Sequence, residues 1–215
     1  WATHGEPCSV NAHPHYSSSE RLALIHNGII ENYAVLKEKL QAKGYVFKSS
    51  TDTEVLVQLI EYIQVTNHID LLTAVQLALQ EVIGAYAIAV LDKDNPDGII
   101  AARKSSPLVV GIGEGEFFLA SDATPIVEYT DKVVYLEDEE IALIRRGEKL
   151  KVVNLKNVEC PHEVKDGSAQ SRPAGEGRLS ALHAEGNLRT ARLHSRLHAR
   201  AYQCGGYERG SFCSD

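Results

Sequence analysis

The sequence predicts an α+β fold in which helices come first and hairpin-linked strands follow. Apolar residues recur at helical spacing over 55–63 and again over 72–82. After Gly84 the pattern changes to short apolar runs separated by glycine-containing turns, such as the one at 113–115. Because helices and strands are segregated along the chain, an alternating parallel fold is disfavoured.

The first elements and the turns between them follow from local residue preferences. Residues 22–25 predict a short buried strand that ends at the turn-prone pair Asn27-Gly28. Asn32 is placed to cap a helix over 33–43. A turn at 94–98, which contains proline and glycine, joins the first two of the later strands. Those strands are predicted at 85–91, 99–103, 108–112, 116–120, 133–136, 141–144 and 150–155.

Composition limits the possible classes of protein. The chain has 215 residues, of which 44% are hydrophobic, and this suits one good core with an appendage. Its net charge of −7 argues against nucleic-acid binding. The apolar runs are too short for a membrane span, and no secretory leader is recognised. The four cysteines are widely spaced and favour free thiols in a reducing compartment.

The composition changes sharply after residue 160. Residues 161–215 contain no isoleucine and a single valine, and arginine outnumbers lysine there by seven to one. We therefore predict a domain over 1–160 and an atypical tail over 161–215. The tail is interpreted either as a disordered basic segment or as the product of an out-of-frame translation. It is expected to add no strand and at most one short helix around Leu188–Arg200.

Four short blocks carry the chemistry, and each has more than one interpretation when taken alone. They are WATHG at 1–5, NAHPH at 11–15, HNGIIEN at 26–32 and TDTE at 51–54. The two histidines of the second block are too few to define a metal site, and no metal is predicted. Asn27-Gly28 is typical of a tight turn, and Thr51-Asp52 is typical of a helix N-cap. The glycines at 111–115 indicate a hairpin, because the lysine and helix of a phosphate loop are missing.

Taken together and in this order, the four blocks resemble the class II glutamine amidotransferases, and among these the glucosamine-6-phosphate synthases. The resemblance runs from Trp1 to about Glu159. It implies the four-layer αββα sandwich of N-terminal-nucleophile hydrolases, incomplete at its N-terminus. It also implies transfer of the amide nitrogen of L-glutamine to fructose-6-phosphate. That reaction yields glucosamine-6-phosphate and glutamate in the cytoplasm, without a cofactor, in a homo-oligomeric enzyme.

The same resemblance assigns roles to individual residues. The side-chain amide of Asn27 and the backbone N–H of Gly28 correspond to the donors that stabilise the tetrahedral oxyanion. Asp52 corresponds to the partner of the α-ammonium group of glutamine. Thr3 and His4 belong to the loop that closes over glutamine, and Trp1 corresponds to the bulky residue that gates the route of ammonia.

The sequence also departs from the family pattern. The family's nucleophile is an N-terminal cysteine, whereas this chain starts at Trp1, and the arginine before WATHG is missing as well. The sugar-isomerase domain that would bind fructose-6-phosphate is also missing. The fragment alone is therefore expected to release no glutamate from glutamine. Two alternatives remain: another class II amidotransferase, such as amidophosphoribosyltransferase, or a glutamine-binding module without catalysis.

Overall fold

A computed structural model of the chain describes residues 6–162, 164–166 and 191–192. Its helices are α1 (Tyr33–Gln41), α2 (Asp52–Asn67) and α3 (Leu71–Glu81), preceded by a short 3-10 helix (Ser9–Asn11). Its strands are β1 (His15–Tyr16), β2 (Leu22–Ile30), β3 (Gly84–Asp92), β4 (Asn95–Lys104), β5 (Val109–Ile112), β6 (Phe117–Ala120), β7 (Lys132–Tyr135), β8 (Glu140–Arg145), β9 (Lys151–Asn154), β10 (Lys165–Asp166) and β11 (Ala191–Arg192).

The strands form two sheets, and every ladder between these strands is antiparallel. The larger sheet has the order β1-β2-β3-β4-β8-β9. The smaller sheet has the order β10-β7-β5-β6-β11. Helices therefore precede a set of hairpin-linked strands, and the predicted α+β class is confirmed. The glycine-rich turn at 113–115 joins β5 to β6 as an ordinary hairpin, as predicted.

Three apolar cores separate the layers. The first lies between the helices and one face of the larger sheet and contains Leu56 and Val90. The second lies between the two sheets and contains Ala101 and Val110. The third lies on the outer face of the smaller sheet, where Ile126 is fully buried. The segment that supplies Ile126 consists of bends and turns, where the resemblance implied a second helical layer.

The strand boundaries around Asn27-Gly28 differ from the prediction. The pair does not form a turn, because β2 continues to Ile30 and pairs with β3 along its whole length. The predicted turn at 94–98 is also wrong, since β4 already begins at Asn95 and the tight turn is Lys93-Asp94. Local turn preferences were outweighed in both places by the pairing of long neighbouring strands, which satisfies more backbone groups.

The capping predictions had mixed outcomes. Thr51 is the N-cap of α2, and its hydroxyl accepts a hydrogen bond from the backbone N–H of Glu54, as predicted. Asn32 occupies the N-cap position of α1, but its side chain makes no capping hydrogen bond. Its amide instead donates to the carbonyl of Glu81 and accepts from the N–H of Ile83. Asn32 therefore links the start of α1 to the end of α3.

The expectation that the tail adds no strand is wrong at two places. β10 pairs with β7, and β11 pairs with β6, so the two short strands lie at the edges of the smaller sheet. β11 also falls inside the helix expected around Leu188–Arg200. An edge strand offers unpaired backbone groups to any residue type, so such pairing does not require branched apolar side chains. Apart from residues 161, 162 and 164, the remainder of the predicted tail lies outside the described residues.

Candidate active site

The predicted oxyanion residues lie on β2, and the predicted ammonium partner lies at the start of α2. The Oδ2 atom of Asp52 accepts a hydrogen bond from the backbone N–H of Ile30 at 2.8 Å. Asp52 is therefore joined to β2 two residues beyond Gly28. The structure thus attaches Asp52 to the strand that carries Asn27 and Gly28, although these residues are far apart in the sequence.

Gly28 has a backbone conformation that only glycine adopts easily. Its φ is +128°, and a Cβ atom there would lie 2.1 Å from the carbonyl oxygen of Ala85 and 3.0 Å from Oγ of Ser106. In the structure the requirement for glycine comes from strand β3 and its surroundings.

The direction of the Gly28 N–H follows from the antiparallel ladder. The N–H of Glu31 donates to the carbonyl of Ile83, next to β3. Since N–H directions alternate along a strand, the N–H groups of Ile30 and Gly28 are directed to the opposite edge. The hydrogen bond from Ile30 to Asp52 lies on that edge. Gly28 therefore directs its N–H towards the side of β2 on which Asp52 is held.

The start of α2 is fixed by a buried carboxylate. Glu54 is only 4% exposed and accepts hydrogen bonds from the backbone N–H groups of Lys48 and Ser49 and from the hydroxyl of Ser49. A carboxylate in the first turn of a helix is also favoured by the helix dipole. This arrangement holds the turn before α2, and with it the position of Asp52.

Three histidines surround this helix start. The Nε2 atom of His15 lies 3.1 Å from the hydroxyl of Thr51. The hydroxyl of Thr53 lies 3.2 Å from Nε2 of His13 and 3.2 Å from Nδ1 of His26. His26 Nδ1 also lies 3.9 Å from Oδ2 of Asp52. The histidines of the NAHPH and HNG blocks therefore contact threonines of the TDTE block.

The two histidines of the NAHPH block do not supply positive charge near neutral pH. Desolvation, together with the nearby rings of His15 and His26, lowers the pKa of His13 to about 4. Desolvation also lowers the pKa of His15. Within the described part of the chain, Oδ1 of Asp52 accepts no hydrogen bond, and the one basic side chain within 4 Å of its carboxylate is the imidazole of His26. Among the same described residues, the buried carboxylate of Asp52 therefore forms no salt bridge with a lysine or arginine.

The lowered pKa of His13 predicts how stability depends on pH. Between about 6.5 and about 4 the unfolded chain binds a proton at this histidine and the folded chain does not. The contribution of His13 to the free energy of unfolding is therefore fully present above pH 6.5 and is lost as the pH falls towards 4. Because the ring is partly exposed, we expect a loss of about 1 kcal/mol. Urea unfolding at both ends of this range should show a smaller loss in His13→Gln, and an equal loss in both proteins would contradict the assignment.

The loop that carries His13 and His15 is bound along α2 by further side chains. Oδ1 of Asn11 accepts from the N–H of Ser50 at 3.1 Å, just before the helix. Farther along, the N–H and hydroxyl of Ser18 both donate to Gln58 at 2.9 Å. We call residues 6–20 the clamped loop, since side chains attach it to α2 from the helix start to its second turn.

Comparison with known proteins identifies the family. Residues 8–128 match the family described as glutamine amidotransferase domain, and this match covers more than half of the chain. The chain belongs to the glutamine amidotransferase domain family. The match includes Asn27, Gly28 and Asp52 together with the clamped loop from Cys8 onward. The family predicted from the four sequence blocks is thereby confirmed.

Several similar proteins carry the same name. The chain is 87% identical over 165 residues to the glutamine–fructose-6-phosphate aminotransferase (isomerizing) of Bacteroides thetaiotaomicron, covering 77% of this chain and 27% of that protein. It is 56% identical over 160 residues to the protein of the same name from Chlorobaculum tepidum, covering 74% of this chain and 26% of that protein. The chain thus spans about a quarter of the length of these relatives.

Solved structures of amidotransferases have the same fold. The glutamine phosphoribosylpyrophosphate amidotransferase of B. subtilis superposes with a TM-score of 0.54 at 29% identity, covering 62% of this chain and 29% of that chain. A structure described as the allosteric regulatory enzyme of purine biosynthesis gives a TM-score of 0.56 at 28% identity, covering 66% and 30%. These similarities place the chain among the class II amidotransferase folds.

The structure describes three of the six predicted site residues. Asn27, Gly28 and Asp52 are brought together, whereas Trp1, Thr3 and His4 lie outside the described residues. Sequence reasoning missed Thr53, which contacts two histidines, and Ser106, whose hydroxyl lies against Gly28. The only signals for them were their places beside Asp52 and in the Ser105-Ser106-Pro107 run.

Among the described helices, none combines the length and apolar character that crossing a membrane requires.

Proposed function

We propose that this chain is the glutamine-binding and glutamine-hydrolysing part of a glutamine–fructose-6-phosphate aminotransferase. The observation that carries the proposal is the buried carboxylate of Asp52, which is 4% exposed and joined to β2 beside Asn27 and Gly28. A buried charge needs a partner. The α-ammonium group of glutamine supplies the cation that this position requires.

The other residues take roles around the reacting amide. In the family's reaction a cysteine thiolate attacks the side-chain amide of glutamine and forms a tetrahedral oxyanion. Collapse of this intermediate releases ammonia and leaves a thioester, which water hydrolyses to glutamate. The side-chain amide of Asn27 and the N–H of Gly28 are proposed to donate to the oxyanion. Thr3 and His4 are proposed to close over the amino acid, and Trp1 to gate the route of ammonia.

The proposed acceptor of the ammonia is fructose-6-phosphate. This part of the proposal is supported by the names of the relatives, among them the protein that is 87% identical. The sugar phosphate would bind in a sugar-isomerase domain, and the whole enzyme would be a homo-oligomer without a cofactor. A cytoplasmic location fits the free thiols of Cys8 and Cys160, because a reducing compartment keeps cysteines unpaired.

A second candidate is supported by the solved structures. The B. subtilis enzyme named above uses the same fold and is 29% identical. The function would then be transfer of ammonia to phosphoribosyl pyrophosphate. The much higher identity to the aminotransferases favours the first candidate. Both candidates place the α-ammonium group of glutamine at Asp52.

Ligand binding by Asp52→Asn tests the proposal. Asparagine keeps an oxygen that can accept from Ile30, but it loses the charge. We expect the dissociation constant for L-glutamine to rise about 10- to 100-fold, since a charge-assisted hydrogen bond is lost. The measurement is a titration of the 215-residue chain followed by NMR or calorimetry.

Two controls separate charge recognition from general damage. Asp131→Asn changes an exposed aspartate outside this region and should leave the affinity unchanged. Glutaric acid monoamide, which has no α-ammonium group, should bind the original chain and Asp52→Asn equally weakly. If Asp52→Asn bound L-glutamine as tightly as the original chain, the assignment of Asp52 would be wrong.

A further inference from the structure

The hydroxyl of Thr53 joins three separate segments at one oxygen atom. It lies 3.2 Å from Nε2 of His13, which belongs to the clamped loop. It also lies 3.2 Å from Nδ1 of His26, which belongs to β2. Thr53 itself is in the first turn of α2 and is only 3% exposed. A hydrogen bond lost at this oxygen would not be replaced easily by water.

The number of hydrogens at this oxygen restricts which nitrogens of the two rings carry a proton. A hydroxyl group has one hydrogen and can donate it to only one ring nitrogen. The other ring must then donate its own N–H to the hydroxyl oxygen. At least one ring is therefore fixed in a single tautomer, with its proton on Nε2 in His13 or on Nδ1 in His26. A valine side chain of similar shape would impose neither condition.

The position of Asp52 connects the tautomer of His26 to the charge on this ring. Oδ2 of Asp52 is 3.9 Å from the same Nδ1 atom of His26 that contacts Thr53. Without the hydroxyl, Nδ1 of His26 would still face this carboxylate at 3.9 Å. A carboxylate beside an imidazole favours the protonated ring, and an internal ion pair would then form. The carboxylate of Asp52 would then be neutralised by His26 and would bind the ammonium group of a ligand less strongly.

We propose that Thr53 is a positioning residue of the ligand site, whose hydroxyl holds the rings of His13 and His26 as a neutral hydrogen-bonded pair and leaves Asp52 for an ammonium group. The inference rests on the proposed function, because it takes the α-ammonium group of glutamine as the ligand of Asp52. His15 and Glu54, which also lie at the start of α2, are held by Thr51 and by the Ser49 turn.

Ring spectroscopy of three Thr53 variants and one control variant tests this role. Thr53→Val and Thr53→Ala remove the hydroxyl, Thr53→Ser keeps it, and Thr66→Val is the matched control at an exposed position of α2. Nitrogen-15 NMR of the histidine rings in the full chain reports the tautomers of His13 and His26. We expect one fixed tautomer in the original chain and in Thr53→Ser. Thr53→Val and Thr53→Ala should show mixed tautomers and a larger protonated fraction of His26.

The affinity for L-glutamine gives the second measurement. We expect the dissociation constant to rise about 10-fold in Thr53→Val and Thr53→Ala, as for the loss of a strong hydrogen bond. Thr53→Ser and Thr66→Val should stay within about 2-fold of the original chain. The amide NMR spectrum verifies that each variant is folded, and the alanine variant replaces the valine variant if the latter does not fold.

The outcomes separate the inference from the proposed function. Unchanged ring signals in a folded variant without the hydroxyl would overturn the inference. Altered rings with unchanged glutamine affinity would also overturn it, because the hydroxyl would then be structural only. If the original chain bound no glutamine while the rings changed as expected, the proposed function would fail and the hydrogen-bonding arrangement would stand.

Discussion

Replacing Gly28 by alanine is expected to destabilise the folded chain by about 4 kcal/mol or more. The added Cβ atom would lie 2.1 Å from the carbonyl oxygen of Ala85, and φ at this position is +128°. The atom it meets is backbone, so relief requires β2 and β3 to separate where they are paired. The free energy of unfolding in urea is the direct measurement.

Gly44→Ala is the matched control for this prediction. Gly44 also has a positive φ, +92°, but its Cβ position meets no atom within 4 Å. Its replacement should cost only the backbone strain, about 1 kcal/mol. If the two variants lost equal amounts of stability, the strain of a positive φ would explain both losses. The contact between the added Cβ atom and β3 would then contribute nothing. Gly28→Ala should also weaken glutamine binding, because the N–H proposed as an oxyanion donor would move.

Glu54→Ala is expected to lose about 3 kcal/mol of unfolding free energy. The glutamate side chain is 4% exposed and accepts three hydrogen bonds, two from backbone N–H groups and one from the hydroxyl of Ser49. Its removal leaves the two buried donors of Ser49 and the N–H of Lys48 without this acceptor and opens a cavity at the start of α2. Thermal or urea unfolding of the purified variant measures the loss.

Two further variants show whether the acceptor function matters. Glu54→Gln keeps one acceptor oxygen. It should lose about half as much unfolding free energy as Glu54→Ala, because only some of the donors to Glu54 are left without an acceptor. Glu81→Ala changes an exposed side chain at the end of α3 and should stay within about 0.5 kcal/mol of the original chain. An Ile30 N–H that remained unaltered in the amide spectrum of Glu54→Ala would show that Asp52 does not depend on Glu54.

The sequence predicted the long elements well because their apolar spacing reflects burial directly. The apolar positions of α2 and α3 belong to the core between the helices and the larger sheet. The path of the chain at Asn27-Gly28 was wrong for a physical reason. A turn preference is local, whereas the strand at this position depends on β3, whose residues lie more than fifty positions away.

The site was predictable only as far as its motifs were recognisable. The resemblance selected Asn27, Gly28 and Asp52, which the structure places near one another. The role of Thr53 could not be predicted, because its contacts with His13 and His26 span 40 and 27 positions of sequence. Each histidine taken alone has the pattern of an ordinary loop or strand residue. Only the arrangement of three segments shows that the rings share one hydroxyl.

The clamped loop also limits how this part of the gene can change. Asn11, His13 and Ser18 contact Ser50, Thr53 and Gln58 in the same order along both segments, whereas His15 contacts Thr51. Single substitutions remove one contact at a time and leave the other attachments aligned. One inserted or deleted codon between His13 and Ser18 would instead displace one attachment relative to the other along a helix that advances about 1.5 Å per residue. Among natural variants, this loop should therefore differ in residue identity and keep a constant length.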